Sequence, residues 1–258
     1  GALCSGSPQN RHSFSAVNPY SVSGNIASLC FGDNFTGTKT MPDYAYYGLF
    51  SATSFLVDCS NLDFSSYTSV SDYGMTYMFQ GCRSLSGPDL SHITSVGKQG
   101  MMDLFYSSSS LTTMSDLSSI TSVGDGGMLG MFNGCSSLTT MPDLSNVVSV
   151  GYSGMENIFY GCVRLVNVSD FDSLTTVGDY GFQNAFGSCY GLETAPNFNS
   201  VTTVGAHAFD QLFTWCGNLK SASGFNSLEK VSDYTFSAAY YNCTSLKTGS
   251  DIRKITSA

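Results

Sequence analysis

The chain has 258 residues, of which 11% are charged and 42% hydrophobic, and carries a formal net charge of −9. This is ample core material for one elongated array, so the chain is not a disordered polar tract. The acidic balance, with ten Lys and Arg spread along the chain, argues against a nucleic-acid partner, and no apolar run approaches the roughly 18 residues that span a bilayer.

Taken from the N-terminus, residues 1–58 read as a capping region. Pro8, the Asn18-Pro19-Tyr20 turn and residues 22–35 predict a few irregular strands, and Met41-Pro42-Asp43-Tyr44 reads as a degenerate first repeat. The first residue is Gly1, with no charged segment leading into an apolar one, so the expectation is a processed chain or a piece of a longer one.

From residue 59 to residue 258 a period of about 27 takes over. Cys135, Cys162, Cys189, Cys216 and Cys243 lie 27 apart, and Cys82 joins the column if Ser108 fills the intervening place. Leu85, Leu111, Leu138, Leu165, Leu192, Leu219 and Leu246 follow three residues after each. Further columns are Val70 to Val231, the aromatic series Phe79 to Tyr240, and a series that changes from Met75, Met101, Met128 and Met155 to Phe182, Phe209 and Phe236. Such periodicity predicts a solenoid, because no single unit can bury its own apolar face and each must stack on its neighbours. Leu-x-x-Met and Thr-x-Val, bounded by Pro, Gly, Asp and Ser, predict two short strands per coil in parallel ladders about 4.8 Å apart. The Gly-Met-x-x-Met-Phe segment, apolar at i, i+3 and i+4, predicts one turn of α- or 3-10 helix. The last unit breaks off after Asp251-Ile252, so the expectation is a continuing chain, or self-association, at the C-terminal coil.

The array holds no recognisable catalytic constellation: His12, His92 and His207 have no partner at a triad or zinc spacing. One cysteine per coil reads as a packed column of thiols, which leaves Cys4, Cys30 and Cys59 as the candidates for a disulfide bridge. Asp89, Asp116, Asp143 and Asp170 recur after the Leu-x-x-Met segment, with Asn197 at the next position. An Asx-type turn accounts for them, since Asn supplies the same acceptor, and a calcium ladder is the alternative. Neither a cofactor nor a metal is otherwise expected. Candidate ligand contacts are the lone Trp215 beside Tyr190, Tyr240 and Tyr241, as a sugar-stacking platform, and the hydroxyl rows that include Thr112, Thr139 and Thr202.

The unit Met131-Phe132-Asn133-Gly134-Cys135-Ser136-Ser137-Leu138-Thr139-Thr140-Met141-Pro142-Asp143-Leu144 and its neighbours resemble BspA-like leucine-rich repeat proteins. The match covers roughly residues 59–255, and residues 23–35 are similar to the lead-in found before such repeats in gut-bacterial and phage-associated members. The resemblance implies a leucine-rich-repeat-type solenoid on a cell or virion surface. It further implies an adhesion or receptor-binding module for a glycan or protein of a host or neighbouring cell. The alternative is a structural fibre or outer-layer protein assembling through its solenoid ends.

Overall fold

A computed structural model of the chain describes residues 40–52, 64–82, 87–249 and 254–255. The expected N-terminal strands, the lead-in at residues 23–35, Cys4, Cys30 and Cys59, and the end of the last unit lie outside them. Seven two-residue strands, β1 (Thr40–Met41), β2 (Ser69–Val70), β3 (Ser95–Val96), β4 (Ser122–Val123), β5 (Ser149–Val150), β6 (Thr176–Val177) and β7 (Thr203–Val204), pair in parallel and in chain order. Each step pairs equivalent residues, as in Val123 with Val150. The unequal spacing of β1, β2 and β3 therefore leaves the columns in phase, because extra and missing residues are absorbed between strands.

The second strand expected at Leu-x-x-Met is reduced to isolated bridges, Thr140 with Asn167, Thr194 with Ser221 and Ser221 with Thr248. The arm is too short to continue: it leaves a turn closed from Leu138 N–H to Cys135 C=O, and Pro142 has no N–H to extend the ladder.

Among the described residues a chain of turns takes the place of the expected helical turn. Between residues 71 and 82 every second N–H closes an i to i−3 turn, as from Gly74 to Ser71, Thr76 to Tyr73 and Met78 to Met75. The intervening N–H groups donate to the next coil instead, Tyr73 to Lys98, Met75 to Gly100, Tyr77 to Met102 and Phe79 to Leu104. A helix would direct all of these donors back along its own axis, whereas this chain of turns divides them between the turn and the neighbouring coil. No donor is wasted, which is what a buried backbone demands. Alternate turns carry a positive φ at their third position, the signature of a type II turn. In the coil of β4 these positions are Gly126, Gly130 and Gly134, and in that of β2 they are Tyr73, Tyr77 and Gly81.

The core follows the columns. Phe50, Phe79, Phe105, Phe132, Phe159, Phe186, Phe213 and Tyr240 form one continuous stack with ring centroids 5.3 to 5.6 Å apart. A second change runs through the array. Leu90, Leu117 and Leu144 accompany Met101, Met128 and Met155, whereas Phe171, Phe198 and Phe225 accompany Phe182, Phe209 and Phe236, and the two Phe series meet edge to face. Two columns change together because a large ring in one requires a ring in the other to fill the same layer.

Each column thiol donates to a carbonyl of the coil before it: Cys135 Sγ to Phe105 at 3.1 Å, Cys162 to Phe132 at 3.2 Å and Cys189 to Phe159 at 3.2 Å. Ser108 makes the same bond to Phe79 at 2.9 Å, which explains why serine replaces cysteine there. The six described cysteines are free. Burial raises the Cys135 thiol well above its ordinary range and the Cys162 thiol to about 12, so the reactive thiolate is suppressed. Pulse alkylation followed by peptide mapping should leave Cys135, Cys162, Cys189 and Cys216 unmodified in the folded protein and modify them fully in denaturant. Labelling of these four in the native state would contradict the buried ladder.

Candidate binding face

Of the residues expected to bind ligand, Trp215 and Tyr241 are brought together. Their rings meet edge to face with centroids 5.9 Å apart and planes at 85°, and Trp215 remains 52% exposed and Tyr241 57%. The backbone ties them as well, Trp215 N–H donating to the Tyr241 carbonyl at 2.8 Å. Trp215 has φ 66°, and its counterparts in the other coils are Ala52, Gly81, Ser107, Gly134, Gly161, Ser188 and Asn242, all with positive φ. Small residues and Asn suit a left-handed position; a bulky side chain there costs about 1–2 kcal/mol.

Tyr190 is also exposed, and its carbonyl accepts the Asn218 side-chain N–H. Tyr240 does not share the outer surface. It ends the core stack against Phe213, and its hydroxyl accepts the Ser223 N–H at 3.1 Å. Thr112 and Thr139 belong to one column, joined by the Thr139 N–H to Thr112 carbonyl bond. Thr202 belongs to another, beside β7, where Thr94, Thr121, Thr175 and Thr202 each donate a hydroxyl to the preceding coil. Those hydroxyls keep lone pairs for a ligand but no free proton, and the two threonine groups lie on different arms of the coil.

The aspartate column is built into turns. Asp89, Asp116 and Asp143 accept the N–H of Ser91, Ser118 and Ser145 at 2.8 to 2.9 Å, as an Asx turn requires. Asp170 instead accepts from Asn197 of the next coil, by backbone and side chain. Among the described residues no three His, Cys, Asp or Glu side chains come together as a metal site would need, so the calcium alternative has no preformed cage there.

A second aromatic group was not legible from spacing. Tyr180, His207 and Tyr234 stack face to face along three successive coils, with centroids 4.8 and 4.9 Å apart, and Tyr152 meets Tyr180 edge-on at 5.6 Å. At the other end of the array Tyr44 stacks on Tyr73 at 4.7 Å. All five stacked residues occupy the first left-handed position of their coils, where the intervening coils have Gln99, Gly126 and Ser153. The signal was the Asp-Tyr pair at 72–73, 179–180 and 233–234, which varies too much between coils to register as a column.

The BspA type Leucine rich repeat region matches this sequence in six copies, over residues 39–185 and 130–258. The chain belongs to the BspA-type leucine-rich-repeat family. Among solved structures, a leucine-rich repeat protein from Bacteroides ovatus is 17% identical, with 90% of this chain and 62% of that one covered and a TM-score of 0.45. The Leucine Rich Repeat protein of T. pallidum is 22% identical, with 62% and 64% covered and a TM-score of 0.41. A leucine rich cell surface protein from Faecalibacterium prausnitzii is 15% identical, with 88% of each chain covered and a TM-score of 0.29. This BspA-type chain thus spans less than two thirds of the Bacteroides ovatus and T. pallidum proteins. No curated protein matches it. Among the described residues no helix is long and apolar enough to cross a membrane.

Proposed function

We propose that this BspA-type array is a surface-displayed binding module that recognises a glycan on a host or neighbouring cell, with Trp215 and Tyr241 as the contact platform. One observation carries this reading: a large, half-exposed indole is held at a left-handed backbone position that every other described coil gives to Ala, Gly, Ser or Asn. The local backbone gains nothing from the ring, so its use lies at the surface. Indole and phenol rings at an angle offer an apolar face for the C–H side of a sugar and polar edges for its hydroxyls. Tyr190, one coil before Trp215, and the Lys220–Glu193 pair extend the polar rim, whereas Thr112 and Thr139 sit three or more coils away. Family membership supports display at a surface and a role in interaction.

The test is a glycan array of mucin-type and bacterial-surface sugars, read with the parent chain and with Trp215→Gly. In Trp215→Gly, relief of the left-handed strain, about 1–2 kcal/mol, offsets the lost edge contact, about 0.5–1.5 kcal/mol. Stability should therefore stay within about 1 kcal/mol of the parent while sugar binding is lost. Binding that survives the substitution, or an array with no hits, would remove the platform from the reading.

A further inference from the structure

We infer that the stacked side chains Tyr180, His207 and Tyr234, with Tyr152 and the carboxylates of Asp179 and Asp233, form a second site, for an arginine- or lysine-bearing segment of a partner protein. It stands apart from the Trp215 platform and does not depend on it.

The first support is placement. Tyr180, His207 and Tyr234 have φ 59°, 56° and 56°, where Gly or Asn would be easier, and three adjacent coils keep a ring there all the same. Tyr234, the last described member of the stack, is 67% exposed, and Tyr152 is 54% exposed. A cation is attracted to such open ring surface.

The second support is the set of polar atoms along the stripe. Exposed carboxylates of Asp179 and Asp233 directly precede Tyr180 and Tyr234. His207 Nδ1 lies 3.1 Å from Asp210 Oδ2, which also accepts from Gln183 Nε2 at 3.1 Å. The stripe therefore presents acceptors: two carboxylates and phenolic oxygens. A guanidinium or ammonium, which only donates, complements it.

The third support lies beneath. Asp210 is 5% exposed, and its Oδ1 is buried without a hydrogen-bond partner among the described residues. A buried acceptor left open beneath the stack favours a partner that only donates. No Lys or Arg occurs in residues 178–189, 205–216 or 232–243, the segments that carry the stripe. The net charge of −9 adds steering toward a basic partner.

The experiment uses a fluorescent, N-acetylated Arg-Ser-Arg-Ser-Arg-Ser-Arg peptide and its twin with citrulline for arginine, followed by anisotropy at physiological ionic strength. The full chain is compared with Asp179→Asn/Asp233→Asn, with Tyr234→Gly, and with Asp116→Asn/Asp143→Asn, which removes the same charge from the Asx turns. Trp215→Gly is a further control. Asn keeps the acceptor that Asp179 offers to the Ala206 N–H, so folding is preserved, and circular dichroism melts verify it. The expected result is arginine-peptide binding weakened at least tenfold in the stripe carboxylate pair and in Tyr234→Gly, unchanged in Asp116→Asn/Asp143→Asn and Trp215→Gly, and weak for the citrulline twin. Equal weakening in both carboxylate pairs, equal binding of the citrulline twin, or no binding to the parent chain would overturn the assignment. Loss of sugar binding in Trp215→Gly with the peptide still bound separates the two sites.

Discussion

Replacing Phe132 with alanine should destabilise the array by about 3–5 kcal/mol, the cost of a large core truncation that leaves a cavity, and should also change how the chain unfolds. Phe132 is wholly buried and stacks on Phe105 at 5.6 Å and on Phe159 at 5.3 Å. Its coil is held to its neighbours by ladders on both sides, such as Gly130 N–H to Glu156 and Asp103 N–H to Leu129. Solenoid stability is a sum of unit terms and nearest-neighbour interfaces, so removing a ring from the middle weakens two interfaces at once. Urea unfolding followed by tyrosine and tryptophan fluorescence should separate into two transitions, one for each side of the damaged coil. Tyr152→Ala, which removes an exposed ring from the same array, should lower stability less and leave the main transition single. Identical, unsplit curves for the two variants would mean that the rings do not couple the coils.

The second large effect depends on pH. Asp103 occupies the middle left-handed position of its coil, φ 50°, and its carboxylate lies over Gly130 of the next coil, where a Cβ would stand 2.1 Å from Oδ1. Burial pushes this carboxyl from 3.8 up to about 6, so the folded state favours the protonated form. The contribution is therefore fully present below about pH 4 and is lost as the pH rises through about 6. Above that window the ionised carboxylate costs the fold on the order of 2 kcal/mol. Asp103→Asn should remove this cost, because Asn157 and Asn184 already occupy the same column and bond to each other at 2.9 Å. The variant should outlast the parent chain in urea at pH 7 to 8 and match it below about pH 4. A constant difference across the whole range would show that packing, and not titration, sets the effect.

Phe132, Cys135, Leu138 and Val150 were legible as core because columns that repeat every 27 residues must face the same way in every coil. The turns at Asp89, Asp116 and Asp143 were legible for a local reason, an acceptor two residues before a serine N–H, whereas Asp170 and Asn197 direct the same acceptor to the next coil. The helix was misread because a helix and the observed chain of turns both bring residues four apart to one side. Met75, Met78 and Phe79 are buried in the turn chain, as they would be on a helical face. What separates the two is Gly126, Gly130 and Gly134, four apart, a spacing that marks recurring left-handed turns and that a helix has no use for. The stripe was hidden for the opposite reason. Tyr73, Tyr180, His207 and Tyr234 hold positions that intervening coils give to Gln, Gly or Ser, so no single residue type repeats, and their stacking follows from an inter-coil ladder that local propensity does not encode.

The paired change from Leu and Met to Phe and Phe between the coils of β5 and β6 limits how such an array can evolve. Within the block that holds Leu117 with Met128 and Leu144 with Met155, or within the block of Phe198 with Phe209 and Phe225 with Phe236, recombination can add or delete a whole unit and still present matching layers. A unit moved across the boundary would add further junctions of the kind seen between the coils of β5 and β6, where Leu144 and Met155 meet Phe171 and Phe182. Length is thus free to vary inside each block, while the order of the blocks is inherited as a fixed seam.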